Sequence, residues 1–217
     1  MSSFPNPYFS NSQLPYMSEK NHELSSVQVR RCETLDDLES GWKFLDRELK
    51  GLHRDLEFYK PVFDSHSELL IIAEFDNTIC GAVFGHINDK IELHIGEIAV
   101  SPDFHHKGIG SQILLVIEKN AIKNNLKRMV LGGKKEVAPF YQSNGFTPNL
   151  FIQNEISPTL DELLDINPNI PVLEKFVSQG WNQLILHTNG LREDLETLFR
   201  AHAPDAVITY VYDKWIN

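Results

Sequence analysis

The stretch "VSPDFHHKGIGSQILLVIEKNAIKN", residues 100–124, sets a short polar loop ending in Gly-Ile-Gly directly before an amphipathic helix. Gly108 and Gly110 each remove a Cβ, so the backbone N–H groups from His106 to Ser111 can converge on one anion. A helix start already favours negative charge, because its first N–H groups lack intrahelical partners and the peptide dipoles align. His105, His106 and Lys107 add donors, and Lys107 adds a full charge. A phosphorylated ligand fits this loop; a loop that merely turns tightly fits it as well.

Around the loop, strand and helix patterns alternate. "VQVRRCE" (27–33) reads as a strand. "TLDDLESGWKFLDRELK" (34–50) reads as a helix with Thr34 as N-cap and Leu35, Leu38, Trp42 and Leu45 on one face. "LHRDLEFYKPVFDSH" (52–66) is a second helix, broken near Pro61. "ELLIIAEFD" and "TICGAVFGHI" form a hairpin turning near Asp76-Asn77, and "IELHIGEIAV" (91–100) is a third strand. The helix after the loop buries Ile113, Leu114, Ile117 and Ile122. "RMVLGG" is a strand, "KEVAPFYQSNGF" a short helix stopped by Gly145, and "NLFIQN" a strand. The order β-α-α-β-β-β-α-β-α-β predicts an α/β fold, a mixed sheet covered by helices.

Residues 1–25, rich in Ser, Asn and Pro, read as a flexible or loosely docked tail, and 26–154 as the main domain. Residues 155–217 read as an appended α/β segment: a helix opened by Ser157 and Pro158, a helix "VLEKFVSQG" (172–180), a strand "NQLILHT", a helix "LREDLETLFRAHA" and a strand "DAVITYVYDKW". That segment could form a subdomain, extend the sheet or make a homodimer contact.

Composition narrows the class. A hydrophobic fraction of 41% with 23% charged residues is that of a globular protein, and no apolar run approaches the roughly 18 residues of a membrane span. The net charge of −10 argues against a nucleic-acid partner and suits a cationic substrate such as an amine. Two cysteines, Cys32 and Cys80, form neither a disulfide framework nor a zinc site, and with no secretory signal a cytoplasmic location is expected. The histidines show no metal-ligand spacing; no metal is expected.

The stretch "IAVSPDFHHKGIGSQILLVIEKN" resembles motif A of the GNAT superfamily of acyl-CoA-dependent N-acetyltransferases: a hydrophobic strand ending in Val, then x-Pro, then Q/R-x-x-G-x-G/A before a helix. "APFYQSNGF" resembles the family's motif B, a Phe-Tyr pair followed by Gly-Phe. The resemblance runs from roughly residue 27 to 154. His105 stands where the family carries Gln or Arg, and Lys134 or Lys135 falls near a cofactor-bonding Asn; neither change removes the backbone amides.

The resemblance implies acetyl-CoA as co-substrate, held by Ile98, Ala99, Val100, His105, His106, Lys107, Gly108, Ile109, Gly110, Ser111 and Phe140. Backbone groups of Ile98 and Val100 would bond the pantetheine arm, with the Val100 N–H polarising the thioester carbonyl. Tyr141 matches the position of a general acid. For the base, strand alternation puts Glu92, His94 and Gly96 on one face and Glu97 on the other. A β-bulge would reverse that facing, so His94 and Glu97 are both candidates. The acceptor is a small-molecule or peptide amine. Two alternatives compete: a catalytically silent CoA-binding sensor, and a nucleotide-binding domain of another kind, which the missing G-x-G-x-x-G and P-loop disfavour.

Overall fold

The computed structural model describes residues 27–217 except 53, 90 and 156; the tail expected over residues 1–25 lies outside the described residues. Among the described residues nine strands form a single mixed sheet: β1 (Gln28–Arg31), β2 (Leu70–Phe75), β3 (Thr78–Asp89), β4 (Glu92–Val100), β5 (Arg128–Gly133), β6 (Thr147–Asn154), β7 (Val172–Ser178), β8 (Trp181–Leu186) and β9 (Val207–Trp215). Their order is β1-β2-β3-β4-β5-β9-β6-β8-β7. All neighbours run antiparallel except β4 and β5. The helices are α1 (Leu35–Leu49), α2 (Leu56–His66), α3 (Ile109–Lys123), α4 (Ala138–Ser143), α5 (Leu160–Ile166) and α6 (Glu193–His202). The expected α/β fold is the observed one.

Strand alternation divides the core between the two faces of the sheet. Leu70 and Ile72 of β2, with Ala82 and Phe84 of β3, pack against Leu38, Phe44 and Leu45 of α1 and Tyr59 of α2. Ile71, Ala73 and Val83 turn the other way, onto Ile113, Leu114 and Ile117 of α3. Thr34 caps α1 in a capping box with Asp37. Asp76 and Asn77 close the β2–β3 hairpin, both with positive φ, as a turn of the kind that matches strand twist requires.

Four local expectations change. The helix α2 runs unbroken through Pro61, because Pro61 and Glu57, whose carbonyl loses its partner, both face water. Ile122 is 40% exposed rather than buried; Ala121 takes the core position in the last turn. The cap of α5 is Thr159, in a capping box with Glu162, rather than Ser157. "VLEKFVS" is the strand β7, not a helix. Gln179 and Gly180, both at positive φ, make the two-residue turn that pairs Ser178 with Trp181, and that turn overrides the helical spacing of Val172, Leu173, Phe176 and Val177.

Residues from 155 onward continue the same sheet. β9 lies between β5 and β6, in register from Arg128↔Trp215 to Gly133↔Tyr210 and from Thr147↔Asp213 to Gln153↔Val207. Among the described residues no helix is long and apolar enough to cross a membrane.

Candidate active site

The parallel ladder between β4 and β5 is short. It pairs Glu92↔Arg128, Leu93↔Met129 and His94↔Val130, and then the strands part. On its other edge β4 stays paired to β3 as far as Val100↔Gly81. The Ser101 N–H donates to the Cys80 carbonyl, which makes Val100↔Gly81 a non-hydrogen-bonded pair. By alternation, the N–H and C=O groups of Ile98 and Val100 point away from β3, into the gap.

That gap opens into a cavity of about 840 Å³. Ile98, Ala99, Val100, His105, His106, Gly108, Ile109, Gly110, Ser111 and Phe140, all expected as binding residues, line it together with Tyr141. Lys107 does not line it; its ammonium lies 5.1 Å from the centroid of the Phe104 ring. His105 turns back on the strand, with Nε2 2.8 Å from the Val100 carbonyl oxygen, so that carbonyl is engaged while the Val100 N–H is left to the gap.

The two glycines serve different needs. His106 (φ 60°) and Gly108 (φ 81°) adopt left-handed backbone on either side of Lys107. Alternation of this kind folds successive N–H groups into an anion-binding concavity. Nothing lies within 4 Å of a Cβ built on Gly108, so its need is the dihedral alone. Gly110 instead makes room for an aromatic ring: a Cβ there would sit 3.0 Å from Phe140 Cζ. Gly108 caps α3 with no side-chain bond to the first turn, so the helix N–H groups face the cavity unclaimed by a cap. The cradle fits a diphosphate, and the open strand edge fits an amide-bearing arm.

Tyr141 is 7% exposed, its ring packed on Phe140, Phe146 and Tyr212. Burial, with Tyr212 beside it, pushes the phenol well above its ordinary value, so it stays protonated across the physiological range.

A second cluster of polar side chains lies on the α1–α2 face of β4. Glu97 pairs with Phe84 and Ile95 with Gly85, leaving Gly96 as the extra residue of a β-bulge. The bulge turns Glu97 to the same side as His94, so the two candidate bases share a face rather than opposing each other. A Cβ on Gly96 would lie 2.6 Å from Tyr59 Oη and 3.1 Å from Arg54 Nη1; only glycine fits between this strand and α2.

Glu97 is 4% exposed, and its Oε1 lies 3.7 Å from Arg54 Nη1. Burial raises its carboxyl to about 7, the Arg54 charge partly offsetting the shift. His94 and His86 stack at 5.1 Å between centroids. Burial lowers both to about 4, with Arg54 acting in the same direction on each and His94 also on His86. At neutral pH both rings are therefore uncharged. Among the described residues, six buried side-chain polar atoms lack a hydrogen-bond partner, and four of them are here: Tyr59 Oη, His86 Nδ1 and both oxygens of Glu97. Groups left this way in a folded protein mark a place for a ligand or ordered water. Arg54 was missed in the sequence because it reads as part of the helix expected over 52–66; the helix begins at Leu56, and only the fold brings the preceding loop to the strand.

Comparisons with known proteins bear on the family and the fold. The model of the Acetyltransferase (GNAT) family matches residues 33–146, more than half of the chain. The fold is similar to that of Ard1 from Thermoplasma volcanium, at TM-score 0.50 and 14% identity over 77% of this chain and 99% of that one. It is also similar to a chain of the NatC complex bound to Gag peptide and CoA, at TM-score 0.54 and 13% identity over 88% and 99%. At such identities the likeness is one of fold.

Proposed function

Because the chain belongs to the acetyltransferase (GNAT) family, we propose that it moves the acetyl group of acetyl-CoA directly to a primary amine in a ternary complex. The observation that carries this reading is the parting of β4 from β5 after His94↔Val130, with the glycine-cradled cavity on one side and the buried Glu97 on the other.

Acetyl-CoA, when bound, supplies an activated thioester. The N–H groups of the loop from His106 to Ser111 would hold its diphosphate, and the outward groups of Ile98 and the Val100 N–H would hold the arm. The Val100 N–H would also donate to the acyl oxygen as negative charge grows there, a role worth a few kcal/mol.

The amine presents the first proton problem. An alkyl amine with pKa near 10 is almost wholly protonated at neutral pH, and freeing its lone pair costs about 4 kcal/mol. A base with a pKa near the working pH serves best. Glu97, at about 7, meets that demand; His94, at about 4, binds a proton too weakly. Glu97 is therefore the base in this reading, and His94 an uncharged wall beside it. Tyr141, kept protonated by burial, would give its proton to the departing thiolate.

Cys32 and Cys80 are buried and unbridged, which supports a reducing, cytoplasmic setting. Titration calorimetry with CoA, followed by thiol-release assays over an amine panel, tests the proposal. Binding with Kd in the micromolar range and turnover that Tyr141→Phe reduces are expected. Failure to bind CoA removes the reading, and binding without turnover of any amine leaves a sensor.

A further inference from the structure

Among the described residues Arg54 is the cation that stands beside Glu97, and the structure gives it little to do there. Its guanidinium makes no hydrogen bond to any described residue, and its nearest anion, the Glu97 carboxylate, stands at 3.7 Å, beyond hydrogen-bond reach. The side chain is 26% exposed while that of Glu97 is 3% exposed, so Arg54 is the solvent-facing member of the pair and Glu97 the inner one.

The arginine is nevertheless held in place. Its carbonyl accepts a hydrogen bond from Trp42 Nε1 at 3.2 Å, and its guanidinium carbon lies 5.1 Å from the centroid of the Phe58 ring. The next residue, Asp55, caps α2 through the Phe58 N–H. A planar fork fixed against an aromatic face, with unused donors, is a built receptor for a carboxylate.

The spacing then selects the substrate. In an α-amino acid the nitrogen and the nearer carboxylate oxygen lie roughly 3 Å apart, since a single carbon separates the groups that carry them. A carboxylate base and a guanidinium side by side at 3.7 Å can each meet one of these groups. A diamine would set its second ammonium against the guanidinium, a like-charge contact inside a buried site. His86 and His94 add no charge at neutral pH, so among the described residues the charges at this cluster are those of Arg54 and Glu97.

The geometry points to a free α-amino acid as the acceptor, its α-amine on Glu97 and its carboxylate on Arg54. This rests on the acetyl-transfer reading above and narrows it from any primary amine to one class.

The test uses the full chain with acetyl-CoA and three acceptor sets: the L-α-amino acids, their α-carboxamides, and 1,4-diaminobutane. The best free acid is expected to exceed its own amide at least tenfold in kcat/KM, with diaminobutane poorer still. Arg54→Gln is expected to bring the acid-to-amide ratio close to one, chiefly by raising KM for the acid, and Arg54→Lys to recover part of the ratio. Calorimetry with CoA confirms that each variant still folds and binds. Amides or diaminobutane acetylated as well as the free acids, or a ratio that Arg54→Gln leaves intact, would overturn the assignment while the acetyltransferase reading stands. CoA binding with no acetylation of any of these acceptors overturns the assignment, and the same silence over the wider amine panel overturns the acetyltransferase reading as well.

Discussion

Arg54 and Glu97 face each other at 3.7 Å across the bulge at Gly96, a buried carboxylate whose one nearby cation does not neutralise the cost of its burial. The desolvation outweighs the attraction, which is why the carboxyl rises to about 7 instead of falling as a paired carboxylate does.

The pH profile of kcat/KM should therefore rise through about 7, following ionisation of Glu97 in the free enzyme. Glu97→Gln should cost roughly 10²–10⁴ in kcat and flatten that limb of the pH profile. The stability effect has the opposite sign. The folded pKa, about 7, lies above the ordinary 4.5, so the native state holds the proton more tightly. The favourable contribution is complete below 4.5 and is lost as pH rises through 7. At pH 8, Glu97→Gln should melt at a higher temperature than the parent chain, which calorimetric melts at pH 5 and pH 8 would reveal.

Tyr141→Phe removes one hydroxyl from a ring otherwise held by Phe140, Phe146 and Tyr212. A loss of roughly 10² in kcat is expected, with CoA affinity changed by no more than a few-fold. Equal kcat in the variant would remove Tyr141 from the proton path.

The two loop glycines should fail in distinguishable ways. Gly108→Ala forces a side chain to φ 81° and should cost about 1–2 kcal/mol of folding stability. Gly110→Ala sets a methyl 3.0 Å from Phe140 Cζ and displaces a ring that lines the cavity. Its larger effect should be on CoA affinity, measured by calorimetry against the melting temperature of the same variant.

Arg128 holds Glu92 and Glu174 at 3.1 Å and Asp213 at 3.2 Å, joining β4, β5, β7 and β9. Arg128→Met leaves three carboxylates without their shared cation. Breaking a largely buried ion cluster by removing one partner costs about 3–5 kcal/mol, and chemical denaturation at pH 7 should show a loss of that order.

His86 and His94, both lowered to about 4 from an ordinary 6.5, make the fold acid-sensitive. Between pH 6.5 and 4 the unfolded chain gains protons that the native state refuses, so stability falls as pH falls. A His86→Gln/His94→Gln chain should lose less stability over that interval in urea titrations at stepped pH.

Much of the fold was legible in residues 27–154 because the continuous apolar run in "ELLIIAEFD" suits a strand buried on both faces and the 3.6 period in "QILLVIEKN" a helix with one buried face. The form of the glycine loop was also legible: Gly108 and the helix after it rest on backbone geometry, which local sequence dictates. The facing of Glu97 was not, because a single extra residue at Gly96 reverses everything beyond it, and a bulge leaves no periodic trace. Arg54 was invisible, since its place is fixed by how α1 and α2 pack rather than by its neighbours in the chain. β7 was misread because Val172, Leu173, Phe176 and Val177 satisfy a helical spacing, while the decisive signal was the short Gln179-Gly180 turn.

The placement of β9 between β5 and β6 has a cost during synthesis. When β5 leaves the ribosome, its outer edge has no neighbour until Val207–Trp215 follows, more than 70 residues later. The nascent half-sheet must wait with an open edge, the kind that captures other chains, and a gap so long between pairing partners slows the closing step. Production of this protein should thus depend on chaperone supply during translation more than on the stability of the finished molecule.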